Sequence, residues 1–145
     1  MAEGDHRPRV LVDDRQHEAV DVDGLVRLAE SALIGEGVRN AELSVSFVTD
    51  DEIARLHARY MDEEGPTDVL SFPLGDADGE GVRILGDVVI SPAAAERNNP
   101  SDPGAEMRLL LVHGILHLLG HDHEVEERRA AMWTLQERYS GVEGP

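Results

Sequence analysis

Apolar and polar positions change period several times along the chain, and each change marks an element. Val10, Leu11 and Val12 form a short apolar run suited to an opening strand. Leu25, Leu28, Ala29, Ala32 and Leu33 then recur at helical spacing, with Gly35 and Gly37 as natural stops. Leu43, Val45 and Phe47 alternate with Ser44 and Ser46, the period of a strand with one buried face. Thr49 and Glu52 make a capping box that opens a helix with Ile53, Leu56 and Tyr60 on its apolar side. Val69 to Phe72 predicts a strand ended by Pro73, and the acidic, glycine-rich stretch 75–81 a surface loop. Ile84 to Ile90 is a second apolar run, predicted as a buried strand.

The second half of the chain reads as helical. Ser91-Pro92 supplies an N-cap and a first-turn proline for a short helix that breaks before Asn98-Asn99-Pro100. Asp102-Pro103 opens the next helix in the same way. From Met107 to Leu119 nearly every residue is apolar, which predicts a helix buried on most sides. A last helix runs from about Glu124 to Tyr139, with Val125, Met132, Leu135 and Tyr139 facing inward. Strands and helices mixed early and helices last favour an α+β layered fold.

Length and charge narrow the classes. The 145 residues suit one domain (1–145, core roughly 10–140), and no linker or repeat divides them. No apolar run reaches the length needed to cross a bilayer, and Met1 to Arg9 lacks the apolar stretch of a signal peptide. A cytoplasmic protein with no membrane partner is the expectation. With no cysteine, a metal site must draw on His, Asp or Glu. The net charge is −17, and all 13 basic residues are arginine. So acidic a surface repels polyanions over most of its area, so DNA is not an expected partner and any RNA contact has to be local.

The candidate chemistry sits in residues 113–123, HGILHLLGHDH. His113 and His117 are four apart and share one face of the predicted helix, close enough to hold one ion. Gly120 ends the helix, because glycine readily takes the left-handed conformation that turns the chain back. His123, past that turn, completes three ligands. Three protein ligands leave a fourth position for water, as in catalytic zinc sites, where the metal lowers the pKa of that water. Burying two imidazoles among leucines costs energy unless each has a partner, which favours the metal over a plain core role. His121 is either an alternative ligand or, more simply, a turn residue in solvent. The spacing matches the metzincin proteases, but their glutamate after the first histidine is here Gly114. Peptide hydrolysis by that route therefore lacks its base, whereas a phosphodiester can be cut with the metal delivering hydroxide, or activating a 2′-hydroxyl.

Three segments in order, GPTDVLSFP at 65–73, GDVVIS at 86–91 and HGILHLLGHDH at 113–123, resemble the YbeY-type endoribonucleases, rRNA maturation factors of bacteria. The likeness spans roughly residues 10 to 140. It implies a zincin-like α+β fold with a small mixed sheet and a metal-binding helix near the C-terminus. It implies one Zn2+ held by His113, His117 and His123, and an endoribonuclease acting on small-subunit rRNA, notably its 3′ end, and in ribosome quality control. It also places 67–73 and 86–91 on strands near the cleft. Two positions depart from the pattern: His121 stands where many members have tyrosine, and Met61 where many have an arginine thought to serve the cleft. Arg59, two residues earlier, is the nearest replacement.

Other candidates carry less. Asp87 could orient a ligand histidine as a carboxylate behind it, and Asp122 could do the same beside His123. Ser71 could line the cleft or sit on a polar outer face. Arg128 and Arg129 fit RNA contacts or a solvated helix face. His6, His17 and His57 show no pattern that assigns them a role. Two other readings compete: a metal hydrolase of another phosphoester or amide, and a ribosome assembly protein with a mainly structural zinc.

Overall fold

The structure is a computed structural model that describes residues 7–61, 67–74, 81–121 and 126–142, with the backbone alone for Met61 and for 126–128. Most of the predicted acidic loop, Asp122, His123 and the start of the last helix at Glu124 lie outside the described residues. The elements run β1 (Arg9–Asp14), α1 (Val22–Gly35), β2 (Ala41–Phe47), α2 (Asp50–Met61), β3 (Val69–Pro73), β4 (Arg83–Ile90), α3 (Pro92–Asn98), α4 (Pro103–Leu118) and α5 (Glu126–Ser140).

The polar residues at the predicted helix starts perform as caps. The Thr49 hydroxyl accepts from the Glu52 amide at 3.2 Å. Ser91 accepts from the Ala94 amide, and Asp102 from the Ala105 amide. Asp21 does the same for α1 through the Gly24 amide, a cap the apolar spacing alone did not locate. The helix α3 continues through Asn98 rather than breaking before it, and Asn99 closes it.

The strands form one mixed sheet in the order β1-β2-β4-β3. The pairs β1–β2 and β2–β4 are parallel and β3–β4 is antiparallel, so β3 is an edge. Alternation along each strand then sorts the side chains to two faces. Leu43, Val45, Val88 and Ile90 turn to one face, against Leu25, Ala29 and Leu33 of α1 and Leu110, Leu111 and Ile115 of α4. Leu70 and Val89 turn to the other, against Val48 and Ile53, with Leu56 and Phe72 half-buried beside them. Behind α4, Val112 and Leu116 pack on Met132 of α5. This double coverage explains why α4 is apolar almost all round. Tyr60 departs from the expectation: at 57% exposure it only sets its ring edge-on to Phe72, at a centroid distance of 5.6 Å.

Gly86 belongs to the GDVVIS segment and shows why that segment needs glycine. Its φ is +133°, and a Cβ there would lie 2.1 Å from the Phe72 carbonyl oxygen. The β2–β4 register shifts at this point, so the glycine lets an irregular β4 stay against the edge strand.

Candidate metal centre

Helix α4 carries the first two candidate ligands to the sheet at its closest approach. A Cβ on Gly114 would meet Val88 Cγ1 at 2.7 Å, Val88 Cγ2 at 3.2 Å and Ser71 Oγ at 3.3 Å. The backbone therefore rests directly on β3 and β4, and the Ser71 hydroxyl donates to the Gly114 carbonyl at 3.1 Å. Position 114, where a metzincin has its base, has no room even for a methyl group. Its glycine is a packing requirement as well as a lost carboxylate.

His113 and His117 stand one turn apart, both half-buried, with ring centroids 4.6 Å apart and planes at 70°. The Nδ1 atom of His113 lies 2.5 Å from Gln136 Oε1. An amide oxygen can only accept, so Nδ1 is the donor of this contact, which in the neutral ring leaves Nε2 as the nitrogen with the lone pair a metal ligand requires. Gln136 is 2% exposed. It arrives from α5, which runs antiparallel to α4 and is tied to it by the Arg108 guanidinium donating to the Ser140 carbonyl. The sequence holds a signal for it: Gln136 lies four residues after the inward-facing Met132, on the buried side of α5.

The helix then ends as the glycine predicts. Gly120 has φ +97°. Its amide bonds the His117 carbonyl and that of His121 reaches the Leu116 carbonyl, the paired bonds of a Schellman cap. His121 is not in solvent, contrary to expectation. Its Nε2 lies 3.0 Å from Glu36 Oε1, while the Tyr139 hydroxyl donates to Glu36 Oε2 at 2.7 Å. Burial, and after it the bond to the Glu36 carboxylate, raises the Tyr139 hydroxyl above its ordinary pKa. Glu36 thus joins the ends of α1 and α5 to the turn that leads towards His123.

The face of His113 and His117 opens on a cleft of about 280 Å³, lined also by His57, Thr67, Val69, Leu70 and Ser71. Ser71 therefore lines the cleft instead of a plain outer face. His57 was given no part by the sequence, yet it reaches the cleft, and Thr67 stands there as the first residue of the segment that the resemblance put beside it. Arg59 does not: it is exposed, with its guanidinium 5.3 Å from the Tyr60 ring centroid. Asp87 does not either. It neighbours Val88 on β4 and so points to the opposite face, among Arg15, Ser46, Tyr60 and Phe72. The group behind His113 is the Gln136 amide, not that carboxylate. Among the described residues no three His, Asp or Glu side chains converge, and Asp122 and His123 lie outside them. The donor set that is described still fits a borderline metal: two imidazoles share a cleft, one of them oriented through Nδ1 by the Gln136 amide.

Comparison with known proteins places this arrangement. The family described as Endoribonuclease YbeY matches residues 11–141. A Corynebacterium kroppenstedtii protein named Endoribonuclease YbeY is 40% identical over 133 residues, covering 83% of this chain and 66% of its own length. Aquifex aeolicus has one 47% identical over 119 residues, covering 80% and 78%, and Acidothermus cellulolyticus one 42% identical over 144 residues, covering 88% and 87%. Among solved structures, that of TM1509 from Thermotoga maritima superposes with a TM-score of 0.58 at 26% identity, covering 92% of this chain and 86% of that one.

Proposed function

The chain belongs to the Endoribonuclease YbeY family, and from that premise we propose that it is a metal-dependent endoribonuclease cutting single-stranded RNA. Its metal is one zinc ion per chain, held by His113, His117 and His123. Its substrate is rRNA of the small ribosomal subunit, near the 3′ end, and it works in the cytoplasm as one domain over residues 1–145. Among the described residues no helix is long and apolar enough to cross a membrane.

The observation that carries the reading is the His113–Gln136 contact beside His117 on one open cleft. Gln136 fixes the proton on Nδ1 and thereby directs Nε2 outward. Gly114 and Ser71 hold the α4 backbone against the sheet, so both imidazoles are set by packing before substrate arrives. When bound, zinc supplies Lewis acidity, making an attacking oxygen nucleophilic near neutral pH and offsetting charge on phosphoryl oxygens. The chain supplies no carboxylate at position 114 to take a proton. That absence suits phosphodiester chemistry better than peptide hydrolysis.

The test is cleavage of a single-stranded rRNA fragment by tag-free protein, with and without chelator, beside His117→Ala purified identically. Cleavage lost in both controls supports the proposal. Equal cleavage by the variant, or none by either protein, overturns it.

A further inference from the structure

Thr67 lines the histidine cleft and also a second hollow of about 390 Å³, which it shares with Asp68, Ala94, Arg97 and Asn98. That volume falls within the range of small-ligand sites, roughly 300–1,000 Å³. The walls are tied together across three elements. The Ser91 amide donates to the Asp68 carbonyl at 3.0 Å. Asn98 Nδ2 donates to Asp68 Oδ2 at 3.1 Å and to Glu106 Oε2 at 3.3 Å. The start of β3, the end of α3 and the first turn of α4 are therefore joined before any ligand arrives. Both amide hydrogens of Asn98 go to carboxylates, so its remaining hydrogen-bonding group is the Oδ1 acceptor. Asp68 accepts through Oδ2 and keeps lone pairs on both oxygens. Arg97 forks onto Asp50 at 2.6 and 3.1 Å, which spends one N–H of each terminal nitrogen and leaves Nε–H and the outer hydrogens.

Charge decides which part of an RNA strand this hollow takes. Asp68 and Glu106 are carboxylates, and the Arg97 charge is already balanced by Asp50. A phosphate is repelled there, whereas a base edge that carries N–H donors is attracted. Unpaired RNA bases are read by hydrogen bonds to such edges. Resting on the endoribonuclease reading above, we infer that the hollow is a base subsite for an unpaired guanine next to the scissile bond, held by the Asp68 carboxylate. Guanine alone sets two donors side by side on its Watson–Crick edge, N1–H and the N2 amino group, which match the two oxygens of one carboxylate. Its O6 is then an acceptor for an N–H of Arg97. Adenine and cytosine place an acceptor nitrogen beside their amino group, and a lone pair then faces the second carboxylate oxygen. Uracil offers a single N–H between two carbonyls. Because Thr67 borders both sites, the base belongs to a nucleotide adjoining the one in the cleft. A base contact carries sequence information, so the subsite selects where the strand is cut.

The test is cleavage of a single-stranded RNA pool of randomised sequence by wild type and Asp68→Asn, with the product ends sequenced and metal content measured for both. Asparagine keeps the shape of Asp68 and an oxygen for the Asn98 bond, but replaces the other acceptor with a donor. For wild type we expect guanine enriched about tenfold at one fixed position beside the cut, the scale of one hydrogen bond to a charged group. In Asp68→Asn that enrichment should vanish at wild-type metal content. A second measurement needs no variant. A defined RNA cut beside guanine is compared with the same RNA carrying inosine there, which lacks only the N2 amino group. Wild type should cut the inosine RNA with kcat/KM lower by about tenfold. Enrichment of another base or of none, equal cleavage of the guanine and inosine RNAs, or guanine enrichment that persists in Asp68→Asn overturns the inference. Wild-type protein that cuts no RNA overturns the endoribonuclease reading itself, an outcome separate from cutting without base preference.

Discussion

Replacing Gly114 with alanine adds one methyl group at the place where α4 touches the sheet, and the cost can be worked from the distances. The new carbon would lie 2.7 Å from Val88 Cγ1 and 3.2 Å from Cγ2. Ordinary carbon contacts fall near 3.5–4.0 Å, so α4 must retreat by roughly 0.8 Å or Val88 must leave its rotamer. Val88 is fully buried and branched at Cβ, so it has nowhere to turn. Overpacking of this kind costs about 2–3 kcal/mol. Alanine offsets roughly 1 kcal/mol through its higher helix propensity. The net loss is then about 1–2 kcal/mol, read as a fall in Tm of roughly 3–7 °C for a chain of this size. Urea unfolding of a double-mutant cycle with Val88→Ala isolates the clash. Val88→Ala alone should cost about 2 kcal/mol or more. In the pair, the methyl at 114 fills space that Val88 vacated, so the double variant should be more stable than the sum of singles by about 1–2 kcal/mol. Additive losses, within about 0.5 kcal/mol, would refute the steric origin of Gly114. The same retreat moves His113 and His117 together, so Gly114→Ala should also weaken metal binding.

Three further outcomes follow from contacts in and around the site. Gln136→Met keeps the volume and removes the acceptor for His113 Nδ1, and should weaken zinc about 10–100-fold in competition with a chromophoric chelator; unchanged affinity would remove Gln136 from the site. Glu36→Ala strands both His121 and the Tyr139 hydroxyl and should cost about 1–3 kcal/mol in urea unfolding, whereas Tyr139→Phe, which leaves His121 paired, should cost less. Asp50 is held below its ordinary carboxylate value, chiefly by its bond from the Arg97 guanidinium. Its contribution to stability is therefore present above the unfolded value of 3.8 and lost as pH falls through the lower folded value. Unfolding followed across that acid range should show a shallower pH dependence in Asp50→Asn, and an identical dependence would exclude the Asp50–Arg97 pair as a contributor.

Much of this fold was legible because its signals are local. The alternation of Leu43, Val45 and Phe47 and the caps at Thr49, Ser91 and Asp102 each depend on residues within a few positions, and all are seen in the structure. Gly120 was legible for the same reason: a helix stop is written in one residue and its neighbours. The errors fall where a side chain's place depends on a distant element. Asp87 could have stood behind a ligand histidine or on a solvated strand face, and the parity of β4 relative to Val88 sends it to the other side of the sheet. Arg59 was the nearest replacement for the arginine absent at position 61, yet it is exposed over Tyr60 and the residue of α2 that lines the cleft is His57. Gln136 lies 23 residues from His113, and only the antiparallel packing of α5 on α4 brings them together. His121 looked like a solvent turn because its partner Glu36 lies 85 residues away.

The most direct measurement is reconstitution: metal-stripped, tag-free protein is titrated with zinc while cleavage of a single-stranded rRNA fragment and bound metal are followed in the same sample. Cleavage that rises with zinc and levels at one equivalent per chain, with neither binding nor cleavage in His117→Ala, is the predicted result. Full cleavage by the metal-free protein, or by His117→Ala, would contradict it.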